Sequence, residues 1–311
     1  ISIVLSMIPT ILSVADGRWN QPDTSMSVLL AQLPDNPKEG NYRTLYLGDL
    51  DSLPVATNAI NNELSYGVAD DGPVNFSSIW ATQKTSMNLA TRRALLSLAA
   101  NDTVRIGRLV SPQAIRYLVV PLGSSPSVAA TNLVESLSSQ LDLRRIYFAR
   151  DLVIFENKDW LPIISVLDEE SAVASKQASD TAFATQALGS QTPLLVDEKS
   201  VSEKRVKTRF SGGTVHVAVP FDSRWHLTVD GAQIAPRVAF GSSVAFDAPI
   251  SGVVELEYKT SPLRYAYLLL QAIMWLYLVA LAANFSRFRR KFRQIETQHV
   301  TVLNESGKAG Q

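Results

Sequence analysis

The stretch "RYAYLLLQAIMWLYLVALAANFSRFRRKFR", Arg264 to Arg293, constrains this chain more than any other part of it. Between Tyr265 and Phe285 lie 21 residues, of which only Gln271 and Asn284 are strongly polar. At about 1.5 Å per residue a helix of that length covers about 31 Å, the thickness of a bilayer's hydrocarbon core. A core helix of a soluble domain carries a polar face, and this segment shows none. Tyr265, Tyr267 and Phe285 sit near the two ends, where aromatic rings favour the headgroup layer. The segment 263–286 is therefore expected to be a transmembrane helix.

Its flanks set an expected orientation. Arg287, Arg289, Arg290, Lys291 and Arg293 follow the span directly, whereas only Lys259 and Arg264 precede it closely. Clustered basic residues beside a span stay in the cytoplasm. The tail 287–311 is thus expected inside, and the bulk of the chain outside. Position beside a span argues against reading the five cations as a nucleic-acid patch.

Composition narrows the partners. The net charge of zero hides an asymmetry: from Ser286 onward the chain carries +4, so the remainder carries −4. A mildly acidic external portion is a poor ligand for nucleic acid or anionic membrane. The chain has no cysteine, which excludes disulfides and thiolate metal sites and leaves its 46% apolar residues to hold the fold. At the other end, "ISIVLSMIPTILSVADGRW" has no basic leader, and its apolar part is too short to span alone. It reads either as a buried helix or, preferred here, as the last turns (1–15) of a membrane helix that begins upstream.

Between these ends the expected fold class is α+β: a small α/β unit, an all-β sandwich-like unit, then the span. Residues 16–165 read as the α/β domain. "YRTLYLGDL" alternates as a strand, and "IRYLVVPLG" is a buried apolar run. "MNLATRRALLSLAAND" places Leu89, Arg93, Leu96 and Ala100 at helical spacing, with Leu95 and Leu98 widening the apolar face. "VAATNLVESLSSQL" is a second amphipathic helix, and "LRRIYFARDLVIFEN" reads as two strands turning at Arg150-Asp151. The Ala/Ser/Thr-rich region within 166–204 reads as a linker or peripheral helix. Within 205–260, "TVHVAVPF", "RWHLTVDG" and "GVVELEYKT" alternate strictly, with Val215, Val217, Val219 and Trp225, Leu227, Val229 each on one face. Asp230-Gly231 is the pair a type I′ hairpin turn needs, and earlier strands are expected to complete the sandwich.

Few residues invite chemistry. There is no phosphate loop, nucleophile elbow or H-E-x-x-H. His216 and His226 fall on the polar-alternating positions of two strands and read as solvated side chains, and His299 lies in the tail. Asp49 and Asp51, in "YLGDLDSLP", are the weak metal candidates, because paired carboxylates can hold a divalent ion against a diphosphate. The competing reading is a strand-terminal turn whose Asp side chains cap nearby N–H groups. "GVADDGPVNF" likewise reads as a turn, with Asp70 and Asp71 as contacts for calcium or sugar. Trp19, Trp80, Trp160 and Trp225 are candidates for stacking on sugar rings, although Trp225 in a strand is expected to pack.

Taken together, "ADGRW", "YRTLYLGDLDSLP", "IRYLVVP", "VIFENKDWLP", "VPFDSRWHLTVDG" and the closing span with its basic tail resemble the C-terminal half of actinobacterial multi-pass family 2 glycosyltransferases. The likeness runs from Asp16 to about Arg293, with Tyr46 and Leu50 where the family pattern has Trp and Pro. It implies the extracytoplasmic and C-terminal membrane portion of an enzyme of cell-envelope polysaccharide or glycolipid assembly. The catalytic domain would lie upstream, so no catalytic residue is assigned here, and no cofactor is expected in this chain. Expected partners are the lipid bilayer, an envelope glycan or lipid-linked acceptor, and membrane proteins, with no nucleic acid. Two alternatives stand beside this: a non-enzymatic membrane-tethered interaction module, and a self-contained carboxylate enzyme using Asp49 and Asp51.

Overall fold

The computed structural model describes residue 33 and residues 36–49, 53–70, 85–122, 126–148, 152–177, 191–194, 205–259 and 263–282. The expectations for residues 1–15, Trp19, Asp51, Asp71, Trp80, the Arg150-Asp151 turn and the basic tail lie outside these. The chain divides into two units, 1–258 and 259–311.

Among the described residues the first unit has strands β1 (Arg43–Asp49), β2 (Asn58–Ala59) and β3 (Leu64–Asp70), followed by helices α1 (Ser86–Ala99) and α2 (Ile106–Val110). Strand β4 (Ile115–Pro121), helix α3 (Val128–Ser138) and strands β5 (Leu143–Phe148) and β6 (Leu152–Asn157) complete a six-stranded sheet ordered β2-β3-β1-β4-β6-β5. β1 and β4 are parallel, and β3 and β6 flank them antiparallel. All seven residues of β4 are buried, because its central place leaves neither face to water. Period-2 alternation divides the side chains. Leu45, Leu47, Leu118, Val120, Val153 and Phe155 meet the helices, while Tyr46, Tyr117, Val119, Leu152 and Ile154 form the opposite face with Tyr42 and Val55.

Two sequence expectations change here. Residues 67–70 continue β3 rather than forming a turn. Gly67 is needed there for close approach, since a Cβ would come within 2.2 Å of Val55 Cγ2 and 2.7 Å of the Ala56 carbonyl. In α1, capped by the Thr85 hydroxyl accepting from Asn88 N–H, the buried residues are Met87, Ala90, Thr91, Ala94, Leu95 and Leu98. Leu89 and Leu96 are 55% and 39% exposed, so the apolar face is rotated from the one centred on them. The buried side thus includes the small residues Ala90, Thr91 and Ala94, which hydrophobic spacing does not mark.

The second half adds β7 (Ile164–Leu167), α4 (Glu169–Ala174), β8 (Thr192–Pro193), β9 (Arg205–Phe210), β10 (Gly213–Pro220), β11 (Trp225–Val229), β12 (Ala232–Ile234), β13 (Arg237–Ala239), β14 (Ser243–Ala248) and β15 (Gly252–Tyr258). They form two sheets, β13-β14-β10-β7-β8 and β12-β11-β15-β9. Val215, Val217, Val244 and Phe246 of the first sheet pack with Leu227, Val229, Val254 and Leu256 of the second, as in a sandwich. Asp230 and Gly231 turn the β11–β12 hairpin with φ of 47° and 86°, the positive pair expected of that dipeptide. The boundary drawn at 165/166 falls inside β7, which pairs with β10 and so belongs to the sandwich. One continuous core runs from Leu45 and Leu118 through Leu161 and Leu167 to Phe240 and Ala245. The architecture is α+β throughout, with a sandwich-like second half.

The second unit contains α5, Leu263–Ala282, long and apolar enough to cross a membrane. None of its most apolar stretch is buried within the chain, which separates it from a soluble core helix.

Candidate functional site

Parallel β1 and β4 point their C-terminal ends the same way, and the chain leaving β4 returns through α3. Asp49, the last residue of β1, thereby meets Ser127, the N-cap of α3. Its carboxylate accepts from the Ser127 hydroxyl at 2.5 Å and from the Ser127 N–H at 3.4 Å. The same hydroxyl accepts from Ala130 N–H at 3.0 Å, so the carboxylate is coupled to the helix N-terminus, where negative charge is favoured. Register places Leu64 opposite Asp49, which brings Glu63 alongside.

Asp49, Glu63, Ser127, Val128, Ala129 and Asn132 line an open cleft of about 520 Å³. It combines carboxylate acceptors, a hydroxyl and a primary amide with a small aliphatic patch in which Val128 is 77% exposed. The cleft lies beside the carboxyl end of β1, in the sheet's parallel β1–β4 pair. Chemically this one can hydrogen-bond a polyhydroxylated ligand and rest its C–H face on Val128 and Ala129. Among the described residues no group of three or more His, Asp or Glu side chains is placed to hold a metal. Of the two metal candidates, Asp49 is hydrogen-bonded to Ser127 at the start of α3, and Asp51 lies outside the described residues.

The remaining sequence candidates disperse. Asp70 accepts from Arg43 Nε at 2.6 Å, a structural ion pair. His226 is half-buried, with its Nδ1 2.6 Å from Gln233 Nε2. His216 is not the solvated side chain expected. It is wholly buried, 2.9 Å from Ser243 Oγ and edge-on to Phe240, because a helical layer and Phe240 cover the outer face of β10. Burial foremost, then the nearby Arg237 and Arg43 charges, lowers its pKa to about 3. Trp225 packs against the sandwich core and Tyr258, ring centroids 5.0 Å apart.

Trp160 belongs to a cluster that sequence reading missed. Arg116, in the buried strand β4, has a side chain only 6% exposed and an ion pair to Glu39 at 2.8 Å. Its guanidinium lies 5.3, 5.2 and 4.8 Å from the ring centres of Tyr42, Tyr117 and Trp160. Pairing and π faces together compensate a buried cation. The available signal was a lone charge inside an apolar run; Ser127 before an amphipathic helix was another.

No family model, curated protein or solved structure matches this chain. Fold and site define an α+β protein with a sandwich-like second half, an open polar cleft and, among the described residues, one helix of membrane-crossing length.

Proposed function

We propose that this chain is the extracytoplasmic and C-terminal membrane portion of a cell-envelope glycosyltransferase, and that it handles a glycan or lipid-linked acceptor at the cleft beside Asp49. The observation that carries this reading is the cleft's lining. A carboxylate and hydroxyl held by each other, with Glu63 and Asn132 beside a small aliphatic patch, suit sugar hydroxyls and C–H faces, and such pockets fix orientation with few polar contacts. The bilayer-length helix would keep the chain at the membrane that carries lipid-linked substrates. The net charge of −4 before Ser286 argues against nucleic acid as the partner. Catalysis on the nucleotide-sugar donor is assigned to a domain outside this chain.

Saturation-transfer NMR on the full chain in nanodiscs, titrated with envelope oligosaccharides and a lipid-linked acceptor, tests this. Binding that Ala129→Trp abolishes while the fold persists is the expected result. No binding by any glycan overturns it.

The exposed Leu89 and Leu96 on α1 favour a second reading, a membrane-tethered module that docks an envelope protein. Crosslinking in cells separates the two, since docking gives discrete heteromeric adducts that Leu89→Ser and Leu96→Ser remove.

A further inference from the structure

The polar groups of the cleft divide into a pair that is spent and a pair that is available. Asp49 and Ser127 are bonded to each other, and the Ser127 hydroxyl also caps α3 at Ala130. Among the described residues, the exposed carboxylate of Glu63 and the exposed amide of Asn132 have no hydrogen-bond or ion-pair partner. Arg92, on α1, donates to the carbonyls of Ala59 and Ile60 and leaves Glu63 uncompensated. The charge is one-sided. No Lys or Arg is among the described lining residues, and none occurs at 50–52 or 123–125, the stretches that follow Asp49 and precede Ser127 in the sequence. The start of α3 would ordinarily draw an anion, and the Asp49 carboxylate already sits there. A ligand phosphate or carboxylate thus meets two like charges and no cation, whereas an ammonium group meets Glu63 in a charge-assisted hydrogen bond.

We propose that Glu63 makes the cleft selective by charge: it favours an amino sugar in its ammonium form over a neutral sugar, and disfavours uronate and phosphorylated sugars, while Asn132 binds hydroxyls of all of them. This rests on the glycan reading of the cleft and names the substrate class within it. The amide of Asn132 both donates and accepts, so it serves a hydroxyl in either orientation and carries no preference for charge. The carboxylate of Glu63 can only accept, which fixes the sign of what it prefers. Because Glu63 is exposed, water screens the contact, and the preference is severalfold in affinity rather than absolute.

NMR titration of the full chain in nanodiscs tests this with disaccharides of one linkage built from glucosamine, glucose or glucuronic acid, at a pH where the amine is protonated. The glucosamine disaccharide is expected to bind tightest, the glucose one about threefold more weakly, and the glucuronate about threefold more weakly again. Glu63→Gln should bring the dissociation constants within about twofold of one another, and Asn132→Ala should weaken all of them alike. Both side chains are exposed, so the fold is expected to persist in each variant, which melting checks. Equal or reversed affinities in the wild type, a spread that survives Glu63→Gln, or a Glu63→Gln chain that loses every sugar overturns the charge assignment and leaves the glycan reading standing. Binding of none of these sugars to the wild type overturns that reading, and this inference with it.

Discussion

Arg43, the first residue of β1, donates from Nη1 to the carbonyl of Ala218 on β10, 175 residues further along the chain. The same guanidinium donates to the Gln113 carbonyl at 3.2 Å and pairs with Asp70 at 2.6 Å. One side chain thus ties the six-stranded sheet to the sandwich, and at 14% exposure it is largely shielded from water. Replacing it by Leu strands the two carbonyls, while the half-exposed Asp70 carboxylate stays in water. Arg43→Leu is expected to lower unfolding stability by about 2–3 kcal/mol, read by denaturant titration of the full chain in detergent.

His216 gives the first unit a defined acid sensitivity. In the folded chain its pKa is lowered to about 3, whereas in the unfolded chain it titrates near its ordinary 6.5. Below pH 6.5 the unfolded state therefore binds a proton that the folded state refuses. The stability from the neutral imidazole is complete above pH 6.5 and is lost as pH falls, with a slope approaching about 1.4 kcal/mol per unit. Melting between pH 6.5 and 4.5, above most carboxylate titrations, should show this slope in the wild type. His216→Gln should be nearly flat over the same interval.

Ser127 serves both the fold and the cleft. Its hydroxyl caps α3 at Ala130 and donates to Asp49. Ser127→Ala is expected to cost about 1 kcal/mol of stability as a lost N-cap. It should also weaken glycan binding more than Thr131→Ala does, because Thr131, one turn along, bonds only within α3 at the Ser127 carbonyl. Parallel melting and NMR titration check the pair.

On the proposed topology, the basic residues that follow α5 in the sequence would set its sidedness. Protease added to intact spheroplasts should digest the 43–258 region, and replacing Arg287, Arg289, Arg290, Lys291 and Arg293 by Ser should protect a fraction of molecules. A wild-type chain that resists until the membrane is permeabilised contradicts the external assignment.

Part of this fold was open to inspection along the chain. Val215, Val217, Leu227 and Val229 alternate and form the sandwich core as their spacing implies, and Asp230-Gly231 makes its turn. β3 was harder, since Gly67, Asp70 and Asp71 look like a turn until the approach of Val55 and Ala56 gives Gly67 its reason. For the cleft, Asp49 stood out as a strand-end carboxylate. Its partner Ser127 was hidden by 78 residues of separation, and which of capping or metal binding it serves depends on that partner.

What sequence alone determined was the local periodicity: which residues share a face of a strand or helix, where turns take positive φ, and where 20 residues are too apolar for water. Only the tertiary structure decided what covers each face. His216 alternates as a polar, outward position, yet Phe240 and the helical layer close over it. Arg116 sits within an apolar run and is retained by Glu39 and three rings from distant segments. Periodicity is fixed by backbone geometry within a few residues, whereas desolvation and charge compensation depend on segments brought together from far apart.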